Sequence, residues 1–305
     1  MLQIILVILP VFLLIFIGQL CRRLSFPGDG FWAPAEKLTY YLLLPALIVI
    51  VLAEADFARL AVLPMALAMA GAIILMTGLV VALRPLLEVD GPGFTSVYQS
   101  VVRLNAYIGL SVAFGLYGET GLAIAAVAVA TFVPLVNVTS TFMLARYGTS
   151  AQPSLGGVLK RVAANPLILA CLLGGLLNLT GPGPPPVLGD MLKILSRAAL
   201  PIGLLAVGAG LDLAAARDAK STAAISSALK LVALPAMTYV LARWFGADPM
   251  TLSVGVLFTA LPVATSSFIL ARQLGGDAAM MANLCAVQTL LAMVSLPLVL
   301  AFTGS

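Results

Sequence analysis

The chain alternates long apolar stretches with short connections that are polar or rich in glycine and proline. About 20 consecutive apolar residues in a helix cross a bilayer, and ten stretches approach that length. The first has no basic residue before it and no small-residue cleavage site after it, which indicates a spanning helix and not a signal peptide. The predicted spanning helices are residues 3–21, 34–53, 58–83, 93–117, 120–145, 162–179, 188–211, 220–243, 249–273 and 278–301.

Two predicted helices are interrupted near their middle. The fourth contains Arg-Leu-Asn at 103–105, and the ninth contains Pro262 followed by Thr-Ser-Ser at 265–267. An unpaired backbone group in hydrocarbon is costly, so a helix break survives there only where protein or a water-filled cavity surrounds it. Matching breaks in the two halves of a chain are typical of the substrate site of a secondary transporter.

The two halves also resemble each other. Segment 42–60 is similar to segment 198–216, which pairs Pro45 with Pro201 at a spacing of 156 residues. Each half has five helices, and because five is odd, the second half must enter the membrane from the opposite side. We therefore expect a first repeat at 1–148, a cytoplasmic loop at 149–160 and a second, inverted repeat at 161–305. Further matches in the same order are Asp56 with Asp212, Leu63-Pro64 with Leu234-Pro235, and Gly118-Glu119 with Gly276-Asp277.

Composition places the chain among polytopic all-α membrane proteins. Of its 305 residues, 62% are hydrophobic and 9% are charged, against roughly 25% charged in soluble proteins. Histidine is absent, so a coupled proton would have to bind a carboxylate or a lysine. The cysteines at 21, 171 and 285 lie in apolar stretches without metal-binding spacing. We expect no metal and no cofactor.

The formal charge of +4 is explained by topology, since the basic residues form no stripe that would bind nucleic acid. The positive-inside rule favours both termini outside the bacterial inner (cytoplasmic) membrane. In that orientation ten basic residues face the cytoplasm and four face outward. The cytoplasmic set is Arg22, Arg23, Lys37, Arg84, Arg146, Lys160, Arg161, Arg217, Lys220 and Arg272, and the external set is Arg59, Lys193, Arg197 and Arg243.

The interrupted helices predict an anion site. Each break exposes a half-helix start, whose unpaired N–H groups carry roughly half a positive charge. Pro262 enforces its break, whereas Asn105 only lowers helix propensity. Asn105 either contacts a carboxylate or only caps its helix, and the hydroxyls at 265–267 either bind substrate or bond back to the preceding turn. The candidate substrate-binding residues are Asn105, Tyr107, Pro262, Val263, Thr265 and Ser266.

Two basic residues lie deep in predicted helices. Arg103 and Lys230 would each cost about 2.5 to 3.5 kcal/mol at the membrane centre, and no acidic residue is predicted at comparable depth. An anionic substrate would balance their charge. Alternatively, each cation bonds the last carbonyls of a broken helix and biases the site toward anions. The candidate polar supports are Asn137, Asn283 and Gln288.

Segments 103–118 and 260–277 resemble the fourth- and ninth-helix motifs of the bacterial auxin efflux carrier family, which is related to the plant PIN transporters. The similarity extends over essentially the whole chain, including Leu44-Pro45 and LKLVALP at 229–235. Two departures indicate a compact bacterial transporter with no reason to carry auxin. Ala106 stands where the family often has threonine, and the long central loop of plant members is absent.

The resemblance implies a fold similar to sodium/bile-acid symporters and sodium/proton antiporters. In this fold helices 1, 2, 6 and 7 form a scaffold domain, and helices 3–5 and 8–10 form a transport domain. Helices 4 and 9 cross, and substrate binds beside the crossing. The resemblance also implies a homodimer that moves small organic anions such as auxin, malate or malonate.

We therefore expect a carrier for a small organic anion, a carboxylate, that works by an elevator or rocking movement. Its partners would be this substrate, the lipid bilayer and a second copy of the chain. The alternative is a sodium- or proton-coupled symporter or antiporter of the bile-acid type, which calls for an intramembrane acidic pair that the sequence lacks. An enzyme would need a catalytic histidine, metal ligands or paired aspartates at depth, and the sequence predicts none of them. A channel would need a polar stripe wide enough to line a pore, and the apolar segments show no such stripe.

Overall fold

A computed structural model describes residues 1–28, 30–57, 61–149, 156–157, 160, 163–181, 183–218 and 221–304. Within these ranges every regular element is helical, and seven helical runs are long and apolar enough to cross a membrane. The chain is a multi-pass membrane protein, as its composition predicts. Arg59, Arg161, Lys220 and most of the predicted loop 149–160 lie outside the described residues.

The helices follow the ten predicted stretches. The longest run, Ala106–Tyr147, is divided at Gly118, whose φ of 61° and ψ of −146° are not helical. We number the helices α1 (Leu2–Arg23), α2 (Trp32–Glu54), α3 (Val62–Leu83), α4a (Gly91–Val102), α4b (106–117), α5 (119–147), α6 (Pro166–Thr180), α7 (Pro186–Gly210), α8 (Ser221–Trp244), α9a (Pro249–Ala260), α9b (Ser266–Leu274) and α10 (Ala278–Phe302).

Two helices widen into a π turn directly before a Leu-Pro pair. In α2 the π segment is Thr39–Leu43, followed by Pro45, and in α8 it is Leu229–Ala233, followed by Pro235. A proline ring clashes with the carbonyl four residues earlier, and a wider turn relieves this contact. The Leu-Pro pairs therefore distort these two helices without ending them.

The fourth and ninth helices are both broken. Helix α9a ends at Ala260, and Leu261 is extended, with a ψ of 146°. This follows from Pro262, because the residue before a proline disfavours helical geometry. Helix α4a ends at Val102, and Arg103 is extended, with a ψ of 158°.

The break in the fourth helix contains no proline, and Asn105 holds it open. The side-chain oxygen of Asn105 accepts hydrogen bonds from the N–H groups of Tyr107 and Ile108, at 3.2 and 3.4 Å, and so caps α4b. The backbone N–H of Asn105 donates to the carbonyl of Pro262 at 2.9 Å. The two breaks therefore lie against each other, and the second supplies a backbone partner to the first.

The most extensive helix contacts fall into two groups. In one group α7 packs against α1 and α2, and α2 packs against α6. In the other group α8 packs against α3 and α9a, and α9a packs against α10 and the run that contains α4b and α5. Contacts between the two groups are fewer. Both breaks belong to helices of the second group, and the cavity beside them is also lined by residues of the first group.

Candidate functional site

A cavity of about 600 Å³ lies where the two breaks meet the starts of α2 and α6. Its wall includes residues 103–107 and 264–266 and part of α5. Six of the residues predicted from sequence line it together. They are Arg103, Asn105, Tyr107, Asn137, Thr265 and Ser266.

Arg103 supplies the cavity with a half-buried positive charge. One guanidinium nitrogen, Nη1, donates to the side-chain oxygen of Asn137 at 3.0 Å. The Nε of Arg103 has no hydrogen-bond partner among the described residues, and no described carboxylate forms an ion pair with this side chain. A guanidinium has five N–H donors, so most of its donors are left for other groups.

The polar groups of Asn105 and Tyr107 are used differently. Asn105 is only 2% exposed, and its side-chain oxygen is occupied by the cap of α4b. Its NH₂ group is therefore the part that remains for a ligand. The hydroxyl of Tyr107 is buried without a described hydrogen-bond partner, and its ring lies against Gly203 of α7.

Pro262 and Val263 lie behind the cavity wall. The Val263 side chain is 1% exposed, and its N–H donates to the side-chain oxygen of Gln288 at 3.1 Å. The amide nitrogen of Gln288 donates to the Ser226 hydroxyl at 3.3 Å, and that hydroxyl is hydrogen-bonded to Ser100. This buried chain joins α10, α8 and α4a to the break in the ninth helix, so Gln288 supports the break and does not line the cavity.

Lys230 and Asn283 also lie away from the cavity. Lys230 is fully buried, and its Nζ has no hydrogen-bond partner among the residues that the structure describes. The Nζ lies 5.6 Å from the centroid of the Phe132 ring, and Phe132 belongs to the cavity wall. Lys230 is thus next to the wall but not on it. Asn283 donates to the carbonyl of Ala215.

Several residues of the cavity were not identified from sequence. Three of them, Glu36, Lys37 and Tyr40, come from the first turns of α2, and Asn165 precedes α6. The Tyr40 hydroxyl accepts a hydrogen bond from the side chain of Asn165 at 3.1 Å. Asn165 could have been found, since Asn-Pro at a helix start is a capping signal. Glu36 lies near the start of the predicted helix 34–53, so its position in the sequence does not indicate that it shares a cavity with Arg103.

A second cavity, of about 930 Å³, opens at the other end of the helices. It lies between α1, α2 and α7 on one side and α4b and α5 on the other. Its charged wall residues include Glu119, Arg197 and the ion pair of Lys193 with Glu54, whose atoms are 2.8 Å apart. None of the predicted substrate-binding residues lines it.

Membrane-spanning helices around a cavity that holds charged and polar side chains at two helix breaks are typical of membrane transporters. The chain matches the family described as "Membrane transport protein" over residues 3–300 and belongs to that family. This confirms the resemblance to the auxin efflux carrier family.

Two relatives support the same assignment. A protein of Rhizobium meliloti (strain 1021) named "Putative malonate transporter" is 30% identical over 284 residues, which cover 88% of this chain and 86% of the relative. An "Uncharacterized transporter" of Methanothermobacter thermautotrophicus is 26% identical over 298 residues, which cover 95% of each chain. Both relatives are named as transporters, which agrees with the membrane transport family.

Proposed function

We propose that this protein is a secondary transporter for a small organic anion, a carboxylate, which binds in the 600 Å³ cavity at the two breaks. The observation that carries the proposal is Arg103. Its guanidinium lines the cavity with one described side-chain partner, the neutral Asn137. A charged group in such a setting is stabilised by a bound anion, and arginine binds carboxylates through two parallel hydrogen bonds.

The surroundings of Arg103 favour the same ligand class. Ala106 at the start of α4b and Ser266 at the start of α9b both line the cavity. Helix starts carry a partial positive charge and attract anions. The NH₂ group of Asn105 and the hydroxyls of Thr265 and Ser266 can donate hydrogen bonds to carboxylate oxygens. The name of the Rhizobium relative agrees with a carboxylate substrate.

The proposal includes two inverted five-helix repeats, in which the fourth and ninth helices cross at the Asn105–Pro262 hydrogen bond. Matching half-helices support it. Both α4a and α9a have 12 residues and begin with an aspartate cap, at Asp90 and Asp248. Their caps (90 and 248) and their last residues (102 and 260) are each 158 residues apart. One constant spacing across cap, length and break is expected of two copies of a single element.

We further propose an elevator movement, with α1, α2, α6 and α7 as the scaffold domain and α3–α5 and α8–α10 as the transport domain. The contact groups support this division. The two cavities lie at opposite ends of the helices, and both are bounded by helices of the two groups. Sliding of one group along the other would open the breaks alternately to each end.

Ligand binding tests the proposal most directly. The purified protein should be stabilised against thermal unfolding by one or more members of a panel of mono- and dicarboxylates. A ligand at 100 times its Kd stabilises the folded state by about 2.7 kcal/mol. Arg103→Gln and Asn105→Ala should reduce this stabilisation, and Arg103→Lys should keep part of it. If the best ligand stabilised the wild type, Arg103→Gln and Asn105→Ala equally, the assignment of the binding site to this cavity would be contradicted.

Arg272→Gln is the matched control. Arg272 lies in α9b, one helix of the cavity, but its side chain is exposed and not part of the wall. The control should bind as the wild type does. Transport into liposomes with imposed sodium, proton or potential gradients would then identify the coupling, and strict sodium dependence would favour the ion-coupled symporter.

Membrane placement and assembly are proposed on the resemblance and on the distribution of basic residues. We propose an inner-membrane homodimer with both termini outside. Labelling of single cysteines introduced near residues 2 and 304 in intact cells tests the orientation, and native mass spectrometry tests the dimer. Labelling at neither end, or a purified monomer that transports, would contradict these points.

A further inference from the structure

The cavity at the breaks contains an acidic residue in addition to its basic ones. Of the wall residues described, three are charged, and they are Glu36 and Lys37 of α2 and Arg103 of the break. Lys37 is exposed, whereas Glu36 and Arg103 are half-buried. Water screens an exposed charge more effectively than a buried one. The field inside the cavity is therefore set mainly by one cation and one anion.

Glu36 lies beside the break and not at the outer rim. It lines the wall of this cavity together with Thr265, which directly precedes α9b. Tyr107 lines the same wall. No described lysine or arginine forms an ion pair with Glu36. The negative charge of Glu36 is therefore not neutralised by Arg103 or Lys37. It acts on a ligand bound in the cavity that these residues line.

We propose that Glu36 is a specificity-determining residue that makes the site selective for singly charged carboxylates. The inference rests on the proposed function, in which one carboxylate binds at Arg103 and Asn105. The distal end of a small substrate then lies toward Glu36. A second carboxylate there meets a like charge, which disfavours binding. An amide, a hydroxyl or an undissociated carboxyl group instead donates a hydrogen bond to the Glu36 oxygens.

The cavity is large enough for this arrangement to matter. A volume of about 600 Å³ is within the usual range for small-molecule sites, so size alone does not exclude dicarboxylates. Discrimination by charge is then required if the site is to choose between acids of the same size. Glu36 and Thr265 line one cavity, so the discriminating group of α2 faces the same space as the start of α9b.

Malonate and its monoamide, malonamate, test the inference, since they are nearly equal in size and differ by one charge at neutral pH. Binding is measured by calorimetry on the purified wild type, on Glu36→Gln and on Glu119→Gln. Glu119→Gln is the matched control, because it removes one negative charge from the wall of the other cavity. The wild type and the control should bind malonamate roughly tenfold or more tightly than malonate. Glu36→Gln should bind malonate more tightly than the wild type does, and the preference should disappear.

The inference fails if the wild type binds malonate as tightly as malonamate, or if Glu36→Gln keeps the wild-type ratio. If the wild type binds no carboxylate of any kind, the proposed function fails instead. Should Glu36→Gln not fold, the wild type is tested with a second pair, succinate and succinamate. Equal affinities for the two members of each pair would overturn the role of Glu36. A preference for the singly charged member of both pairs, also seen in Glu119→Gln, would support it.

Discussion

Helix α7 presents a glycine to the ring of Tyr107, and a single added methyl group tests how tightly the two contact groups fit. A Cβ built at Gly203 would lie 2.3 Å from Cδ1 and 2.6 Å from Cε1 of Tyr107. Ordinary van der Waals contact begins near 3.4 Å, so the ring would have to retreat by about 1.1 Å, the difference between 3.4 and 2.3 Å. Tyr107 is buried in the cavity wall, and any retreat also displaces the wall.

The expected cost follows from two opposing effects. Overpacking of a buried site costs about 1–3 kcal/mol, while replacing glycine by alanine inside a helix contributes about 0.5–1 kcal/mol in the opposite direction. Gly78→Ala provides the control, because Gly78 is exposed within α3 and a Cβ there meets nothing within 4 Å. The free energy of unfolding of Gly203→Ala should therefore lie about 1–3 kcal/mol below that of Gly78→Ala.

Thermal unfolding of the purified variants measures this difference, and uptake into liposomes measures its effect on transport. Gly78→Ala should be as stable as the wild type or more so, with unchanged transport, and Gly203→Ala should lose both stability and transport. In a double-mutant cycle, Tyr107→Ala should relieve the contact, which gives a coupling energy of about 0.5–3 kcal/mol with Gly203→Ala. Equal stability of the two alanine variants, or the absence of coupling to Tyr107, would refute the close fit.

Three further predictions concern the surroundings of the cavity. Gln288→Leu leaves the buried N–H of Val263 without its acceptor and should lower stability by about 1–3 kcal/mol. Unchanged thermal unfolding of this variant would contradict the prediction. Lys230→Met should leave the free energy of unfolding unchanged or raise it by about 1–4 kcal/mol. The reason is that an apolar side chain of similar volume replaces a buried amine without a hydrogen-bond partner among the described residues. A loss of stability in thermal unfolding would contradict this. Tyr40→Phe removes the acceptor of the Asn165 amide and should cost about 0.5–1.5 kcal/mol in thermal unfolding, while a change to Phe at the exposed Tyr41 should have no effect.

Much of the architecture could be predicted from sequence because long apolar runs in a membrane have few alternatives to helix. The break in the ninth helix was predictable from Pro262 alone, because proline interrupts a helix by itself. The break in the fourth helix was predicted from the resemblance and the repeat, since Asn105 only lowers helix propensity. The hydrogen bond that holds the fourth-helix break could not be predicted, because the acceptor of the Asn105 N–H is the carbonyl of Pro262, 157 residues away in sequence. No local pattern reports such a pairing.

The cavity was only partly predictable for a similar reason. Residues at the breaks could be named from their own helices, but Glu36 and Tyr40 join them from another helix that happens to start alongside. The backbone role of Val263 was also hidden, because its N–H is satisfied by the side chain of Gln288 on α10. Sequence patterns locate residues along one helix, whereas membership of a cavity depends on which helices pack together.

The hydrogen bond between Asn105 and Pro262 has a consequence for biogenesis. The ribosome delivers the first half of the chain to the membrane well before Pro262 is synthesised. Until then the N–H of Asn105 must find water or a temporary partner, since an unsatisfied donor in hydrocarbon is costly. The N-terminal half therefore lacks one backbone partner of its own break until the C-terminal half has inserted beside it.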